Sequence, residues 1–155
     1  MKSHHYQSQI KWTGNTGKGT KSYTSYERSY DIIIKGKTTL KGSADPAFRG
    51  NKDLHNPEDL FLVSISSCHM LWYLHLCAEN NITVIDYTDQ ASAEMQLTKE
   101  GKGYFTVAIL NPVVVILEED KIDLAKSLHQ KANEYCFIAN SCNFPIQHHP
   151  KIEVH

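Results

Sequence analysis

Polar and bulky residues alternate through the first part of the chain, as in Ser8-Gln9-Ile10-Lys11-Trp12 and Thr20-Lys21-Ser22-Tyr23-Thr24-Ser25-Tyr26, with Gly14, Gly17 and Gly19 between them. A period of two interrupted by glycines predicts strands and turns, so a β-ribbon is expected over residues 8–41. Within it, Tyr30–Ile34 and Thr38–Leu40 flank Lys35-Gly36-Lys37 and predict a hairpin. A loop rich in turn formers follows from Gly42 to Asn56, and then the pattern changes period. Asn56 is a good N-cap, Pro57 suits the first helical position, and Glu58 and Asp59 put negative charge at the positive end of a helix dipole. The spacing predicts a central helix over 57–79, ending at Asn80-Asn81. Two long strands are expected at Tyr87–Leu97 and Tyr104–Leu117, within 87–117, joined by Lys99-Glu100-Gly101-Lys102-Gly103. A second helix is predicted over 121–139, with Ile122, Ala125, Leu128, Ala132, Tyr135, Cys136 and Ala139 on its apolar face, and a short strand around Ile152–Val154 closes the chain.

That order of strands, helix, strands, helix and strand gives the class α+β, in one domain over 1–155. The sequence has no Gly-x-Gly-x-x-Gly or phosphate-binding loop at any junction of strand and helix. Composition narrows the function classes further. With 41% apolar residues, 21% charged residues and a net charge of −1, the chain has the make-up of an ordinary globular domain. Scattered Lys and Arg offer no cationic stripe for phosphates, so nucleic acid is not an expected partner. The stretch Leu60–Ala78 holds 19 residues without a formal charge, about the length of a membrane span. Its serines, histidines and cysteines, and the absence of a flanking Lys/Arg cluster, favour the core of a water-soluble fold, so no membrane partner is expected. Residues 1–8 lack the apolar core of a secretory signal, and a cytoplasmic location is the expectation.

Four cysteines, Cys68, Cys77, Cys136 and Cys142, form no Cys-x-x-Cys pair, and no metal site is expected. Cys68 lies 12 positions beyond Asn56, too far along for the helix dipole to activate its thiol, so a nearby positive group is required for chemistry. Leu71, Trp72 and His75 share its helical face, which suits an apolar substrate with one polar reactive group. A buried cysteine used only as a small hydrophobe fits the same composition. Cys77 lies about 180° round the helix from Cys68 and is expected in the packing. Cys136 falls near the end of the second helix, and Cys142, in a turn, is its rival as a second thiol.

Asn56-Pro57-Glu58-Asp59-Leu60, then Ser67-Cys68-His69-Met70, then a cysteine late in a second long helix, together resemble the OsmC/Ohr family of osmotically inducible and organic hydroperoxide resistance proteins. Trp12-Thr13-Gly14, Gly17-Lys18-Gly19-Thr20 and the run Gly42–Gly50 extend the resemblance over nearly the whole chain, and Phe48-Arg49-Gly50 resembles the osmotically inducible branch. The resemblance implies an OsmC-like fold: antiparallel sheets around a long buried central helix plus a second helix, in an intertwined homodimer. It also implies a thiol-dependent peroxidase without metal or organic cofactor. Cys68 is then the peroxidatic cysteine, oxidised by an organic hydroperoxide to a sulfenic acid, and Cys136 the resolving cysteine that forms a disulfide. An external dithiol reductant closes the cycle. An arginine favours the thiolate, with Arg49 the first candidate and Arg28 the runner-up, and Glu58 orients it. Leu71, Trp72 and His69 are the candidate substrate pocket, with His69 a neighbour that tunes it rather than a general base.

Glu58 and Cys68 are ten residues apart, roughly 15 Å at ~1.5 Å per residue of helix, so a long arginine side chain or a second subunit is expected to bridge them. Cys136 is followed by Phe137, where the family commonly has proline. Two other functions fit the same residues: a non-catalytic redox-sensing or apolar-ligand-binding protein, and a thiol hydrolase using Cys68 with a histidine. The second lacks an assignable third member to orient His69 or His75.

Overall fold

In the computed structural model, residues 2–155 are described, and the chain divides into two compact units, Met1–Leu60 and Phe61–His155. In the first unit, β1 (Gln9–Trp12), β2 (Tyr30–Ile33) and β3 (Leu40–Gly42) form an antiparallel sheet in that order. Gly42 faces Tyr30 across the ladder, where an added Cβ would meet the tyrosine ring and force it to move.

The alternating run Thr20–Tyr26 reads as a strand but forms turns instead. Asn15 explains the difference: its Oδ1 accepts from the N–H groups of Gly17 and Gly19 at 2.9 and 3.1 Å, with both glycines at positive φ. The hydroxyl of Ser25 then donates to the carbonyls of Gly19 and Ser22 at 2.9 Å each. Short polar side chains that bond their own backbone outcompete a ladder here.

Helix α1 (Pro57–Glu79) starts in a reciprocal cap, the Asp59 N–H donating to Asn56 Oδ1 at 2.8 Å and the Asn56 N–H to Asp59 Oδ2 at 3.2 Å. It ends at Asn81, left-handed at φ 55, with the Ile82 N–H returning to the Cys77 carbonyl at 2.9 Å. Lys121 Nζ donates to the freed carbonyls of Asn80 and Asn81 at 3.3 and 2.7 Å.

The second unit holds two three-stranded sheets. One has the order β4 (Val84–Asp89), β7 (Pro112–Ile116), β9 (Lys151–Val154), and the other β5 (Ser92–Leu97), β6 (Gly103–Leu110), β8 (Ile146–His148). The two long strands expected within 87–117 are therefore each broken, at Gln90-Ala91 and at Asn111, so that each run feeds both sheets. Pro112 brings no N–H to a ladder, and Asn111 cross-links the two breaks through its N–H to Asp89 Oδ1 at 2.7 Å and its Nδ2 to the Gln90 carbonyl at 2.9 Å. Neither sheet is purely antiparallel, because β8 pairs parallel with β6 and β9 parallel with β7.

Helix α2 (Ile122–Tyr135) stops four residues short of the expected end. The Asn140 Nδ2 donates to the Glu134 carbonyl at 2.9 Å, Cys136 adopts an extended backbone, and a 3₁₀ turn follows at Ala139–Ser141. The main core gathers Tyr73, Leu76 and Cys77 of α1, Val114 and Ile116 of β7, and Ala125, Leu128 and Ala132 of α2. A smaller cluster joins Ile65 to Ala108 and Leu110.

The expectation of a long buried central helix needs correction within the single chain. Only one stripe of α1, Ile65, His69, Tyr73, Leu76 and Cys77, is fully buried, while Val63 and Leu71 are 61% and 63% exposed. The buried residues recur at intervals of three and four, the face of a helix packed from one side.

Candidate active site

Cys68 lies midway along α1, half-buried, and all four cysteines are free. Early termination of α2 decides which second thiol meets it. Cys136, the first residue after α2, has no exposed surface and its thiol neighbours that of Cys68. Burial, and then the bond to Cys68, push the Cys136 thiol up to about 12, so it is protonated at neutral pH. The rival thiol is turned elsewhere: Cys142 Sγ donates to the Ile138 carbonyl at 3.3 Å and packs with the smaller core cluster. Cys77 is buried in the main core against the Tyr73 hydroxyl, burial raising its pKa. Of the candidate thiols, then, Cys68 and Cys136 are brought together.

An aromatic wall stands beside this pair. The Trp72 ring stacks on Tyr135 at 5.1 Å and meets the edge of Phe137 at 5.5 Å, so the two neighbours of Cys136 in sequence both rest on one side chain of α1. Leu71, Trp72 and His75 line a shallow depression of about 250 Å³, open to solvent, on the stripe that carries Cys68. His69, the third residue expected in a substrate pocket, is not among its lining residues.

The charged candidates occupy the first unit. Arg28 donates to the carbonyls of Tyr26 and Tyr23 at 2.6 and 2.7 Å, and its guanidinium lies 4.1 and 4.4 Å from the centres of their rings. Arg49 is left-handed at φ 64 after the 3₁₀ turn Pro46–Phe48, with its guanidinium 5.9 Å from the Tyr23 ring. Glu58 Oε2 is buried without a hydrogen-bond partner among the described residues, and its charge helps burial to raise the pKa of Tyr30. Neither arginine forms an ion pair with Glu58; among the described residues Lys151 pairs with Glu153, and His75 Nε2 lies 3.4 Å from Glu79 Oε1.

His69 instead belongs to a buried imidazole cluster that reading the sequence missed. Its Nε2 bonds His129 Nδ1 at 2.9 Å, its ring stacks on His148 at 4.6 Å, and His129 stacks on Tyr73 at 3.8 Å. Burial first, and the neighbouring imidazoles second, lower His69 and His129 to about 3. His148 is lowered by burial while Asp89 partly opposes the shift. One signal was present: His129 falls between Ala125 and Ala132 at helical spacing, on the face assigned to the core. Among the described residues no group of three His, Cys, Asp or Glu side chains is arranged to hold a metal ion.

A family model described as OsmC-like protein matches residues 50–152. The chain is similar to the solved structure of an OsmC-like protein of unknown function from Vibrio cholerae, at 26% identity and a TM-score of 0.81, covering 99% of this chain and 100% of that one. It is also similar to an organic hydroperoxide resistance protein from Elizabethkingia anophelis, at 19% identity and a TM-score of 0.69, covering all of both chains. A further organic hydroperoxide resistance protein, from Legionella pneumophila, matches at 16% identity and a TM-score of 0.71, over 99% of this chain and 100% of that one. At those last two identities the likeness shows the fold alone. No curated protein matches the chain.

Proposed function

The chain belongs to the OsmC-like family, and from that premise we propose that it is a thiol-dependent peroxidase reducing organic hydroperoxides through Cys68 and Cys136. One observation carries the reading: of the three other cysteines, it is Cys136 whose thiol lies against Cys68. A sulfenic acid on Cys68 has its resolving thiol beside it, and condensation gives a disulfide that an external dithiol reduces by exchange. The apolar patch of Leu71, Trp72 and His75 on the same stripe offers a surface on which the carbon skeleton of an organic peroxide can rest. Two of the structurally similar proteins carry the name organic hydroperoxide resistance protein, which supports the same substrate class.

The other parts of the proposal rest on the family resemblance. Arg49, with Arg28 as the runner-up, supplies the cation that favours the Cys68 thiolate, and Glu58 orients it. The unpartnered Glu58 Oε2 supports this, since a buried carboxylate oxygen calls for a donor. The protein works as a cytoplasmic homodimer, with no bound metal or organic cofactor.

Consumption of cumene hydroperoxide and of hydrogen peroxide by the purified protein with excess dithiol tests the reading. Multiple turnovers with a preference for cumene hydroperoxide are expected, lost altogether in Cys68→Ser and reduced at least tenfold in Cys136→Ser. Consumption that stops after one equivalent per chain would instead identify a redox sensor, and consumption unaffected by Cys68→Ser would remove the cysteine from the mechanism.

A further inference from the structure

The sulfur of Cys136 is withdrawn from water and yet faced by hydrogen-bond donors. It has no exposed surface and follows α2 with an extended backbone, φ −67 and ψ 110, before the chain turns again at Ala139–Ser141. That reversal aims the Ala139 N–H at Cys136 Sγ, 3.3 Å away, and the Ile138 N–H also faces the sulfur. A neutral thiol is a weak acceptor, whereas a thiolate bonds such donors strongly. The turn is therefore better matched to the charged form of Cys136 than to the thiol it holds at rest. The same sulfur also neighbours Cys68. When Cys68 is the thiolate it has only lone pairs to offer, so the Cys136 S–H is the donor in that contact and its proton points at the place where the peroxide reacts.

We infer that Cys136 acts first as the general acid that protonates the departing alkoxide, and only then, as the thiolate so formed, as the resolving nucleophile. This rests on the peroxidase reading above. In the first step the Cys68 thiolate attacks the terminal oxygen of ROOH; an S–O bond forms and the O–O bond breaks. Sulfur is oxidised, the peroxide is reduced, and RO⁻ takes the proton from Cys136 to leave as ROH. Cys68 is then a sulfenic acid and Cys136 a thiolate, held by the N–H groups of Ile138 and Ala139. In the second step that thiolate attacks the Cys68 sulfur; the S–S bond forms, the S–O bond breaks, and hydroxide leaves to take a proton from solvent. An external dithiol returns both cysteines to the reduced state.

The acidity of Cys136 fits both duties. Raised to about 12, it keeps its proton at neutral pH, yet it remains a stronger acid than an alcohol, whose conjugate base is comparable to hydroxide. Transfer to the alkoxide is downhill, and a resolving thiolate is generated only after the peroxide bond is broken. The device favours peroxides with an alkoxide leaving group. A peracid releases a carboxylate, which needs no proton, and gains nothing from it.

Single-turnover stopped-flow measurements of Cys68 oxidation test this, with cumene hydroperoxide and peracetic acid as the two oxidants. The readout is the ratio of the two first-step rates, which does not depend on resolution. In Cys136→Ala the ratio of hydroperoxide to peracid rate should fall by roughly a hundredfold, the lower end of what a positioned general acid supplies. In Cys136→Ser, where a hydroxyl still donates a hydrogen bond, it should fall less. A ratio unchanged from the wild type in both variants overturns the inference and leaves Cys136 with resolution alone. Cys68→Ser keeps the two claims apart: if it is still oxidised by either reagent at the wild-type rate, the peroxidase reading has failed, whatever the ratio does.

Discussion

Two imidazoles taken out of water, with a third half-buried beside them, bear on how this chain should respond to acid. His69 and His129 are each 1% exposed and share one hydrogen bond of 2.9 Å, which requires one ring to donate and the other to accept. Their surroundings are Tyr73, stacked on His129, and His148, stacked on His69, with Asp89 acting on His148. A proton on either ring brings a charge into this packing, and burial accordingly lowers both to about 3 from the ordinary 6.5. The sign follows from proton counting: between these values the unfolded chain binds more protons than the folded one, so stability falls as pH drops from about 6.5 towards 3. Each ring contributes at most about 1.4 kcal/mol per pH unit over that window. Urea unfolding midpoints measured between pH 7 and pH 4 should decline accordingly. In His129→Phe, which keeps a ring on Tyr73, the decline should be shallower, and an unchanged slope would mean that the carboxylates alone set the acid limit.

At the scale of elements, the start of α1 is determined within four residues. Asn56 and Asp59 each accept from the other's backbone N–H, and Asn56 itself is buried, 8% exposed. Asn56→Ala should lower unfolding stability by about 1 kcal/mol, the usual cost of removing a cap, read from chemical denaturation. Because that cap is local, both the start and the end of α1 were legible in the sequence, as were the α+β class and the hairpin of β2 and β3. The end of α2 was not. Its apolar spacing continues through Cys136 to Ala139, and only the capture of the Glu134 carbonyl by Asn140 shows why the helix stops at Tyr135. Long-range effects hid the rest as well: Pro112 and Asn111 split what alternation reads as continuous strands, and β8 joins its sheet in parallel with β6 across a gap of more than thirty residues. The site divides along the same line. Cys68 and Cys136 were candidates through the family resemblance, but the proximity of their thiols depends on the break after α2. The imidazole cluster draws on α1, α2 and β8, and no local pattern joins His69, His129 and His148.

For the molecule as a whole, the open side of α1 is the feature that a single chain leaves unexplained. The helix has the length and apolarity of a membrane span, and only 28% of its most apolar window is buried. Val63 and Leu71 are both more than 60% exposed, and Phe137, beside Cys136, is 67% exposed. Large apolar side chains left exposed in this way suit a contact with another surface. A second copy of the chain meets the requirement, in keeping with the homodimer proposed above. Sedimentation equilibrium should therefore give a mass near twice 17.6 kDa at micromolar concentration. Val63→Glu puts a charge on the open face without touching the fully buried stripe of α1. It should weaken association at least tenfold, since a carboxylate buried without a partner is costly. Circular dichroism should show the helix content unchanged. A wild-type chain that sediments as a monomer would reject the dimer, and a Val63→Glu variant that associates as tightly as the wild type would move the interface off this face of α1.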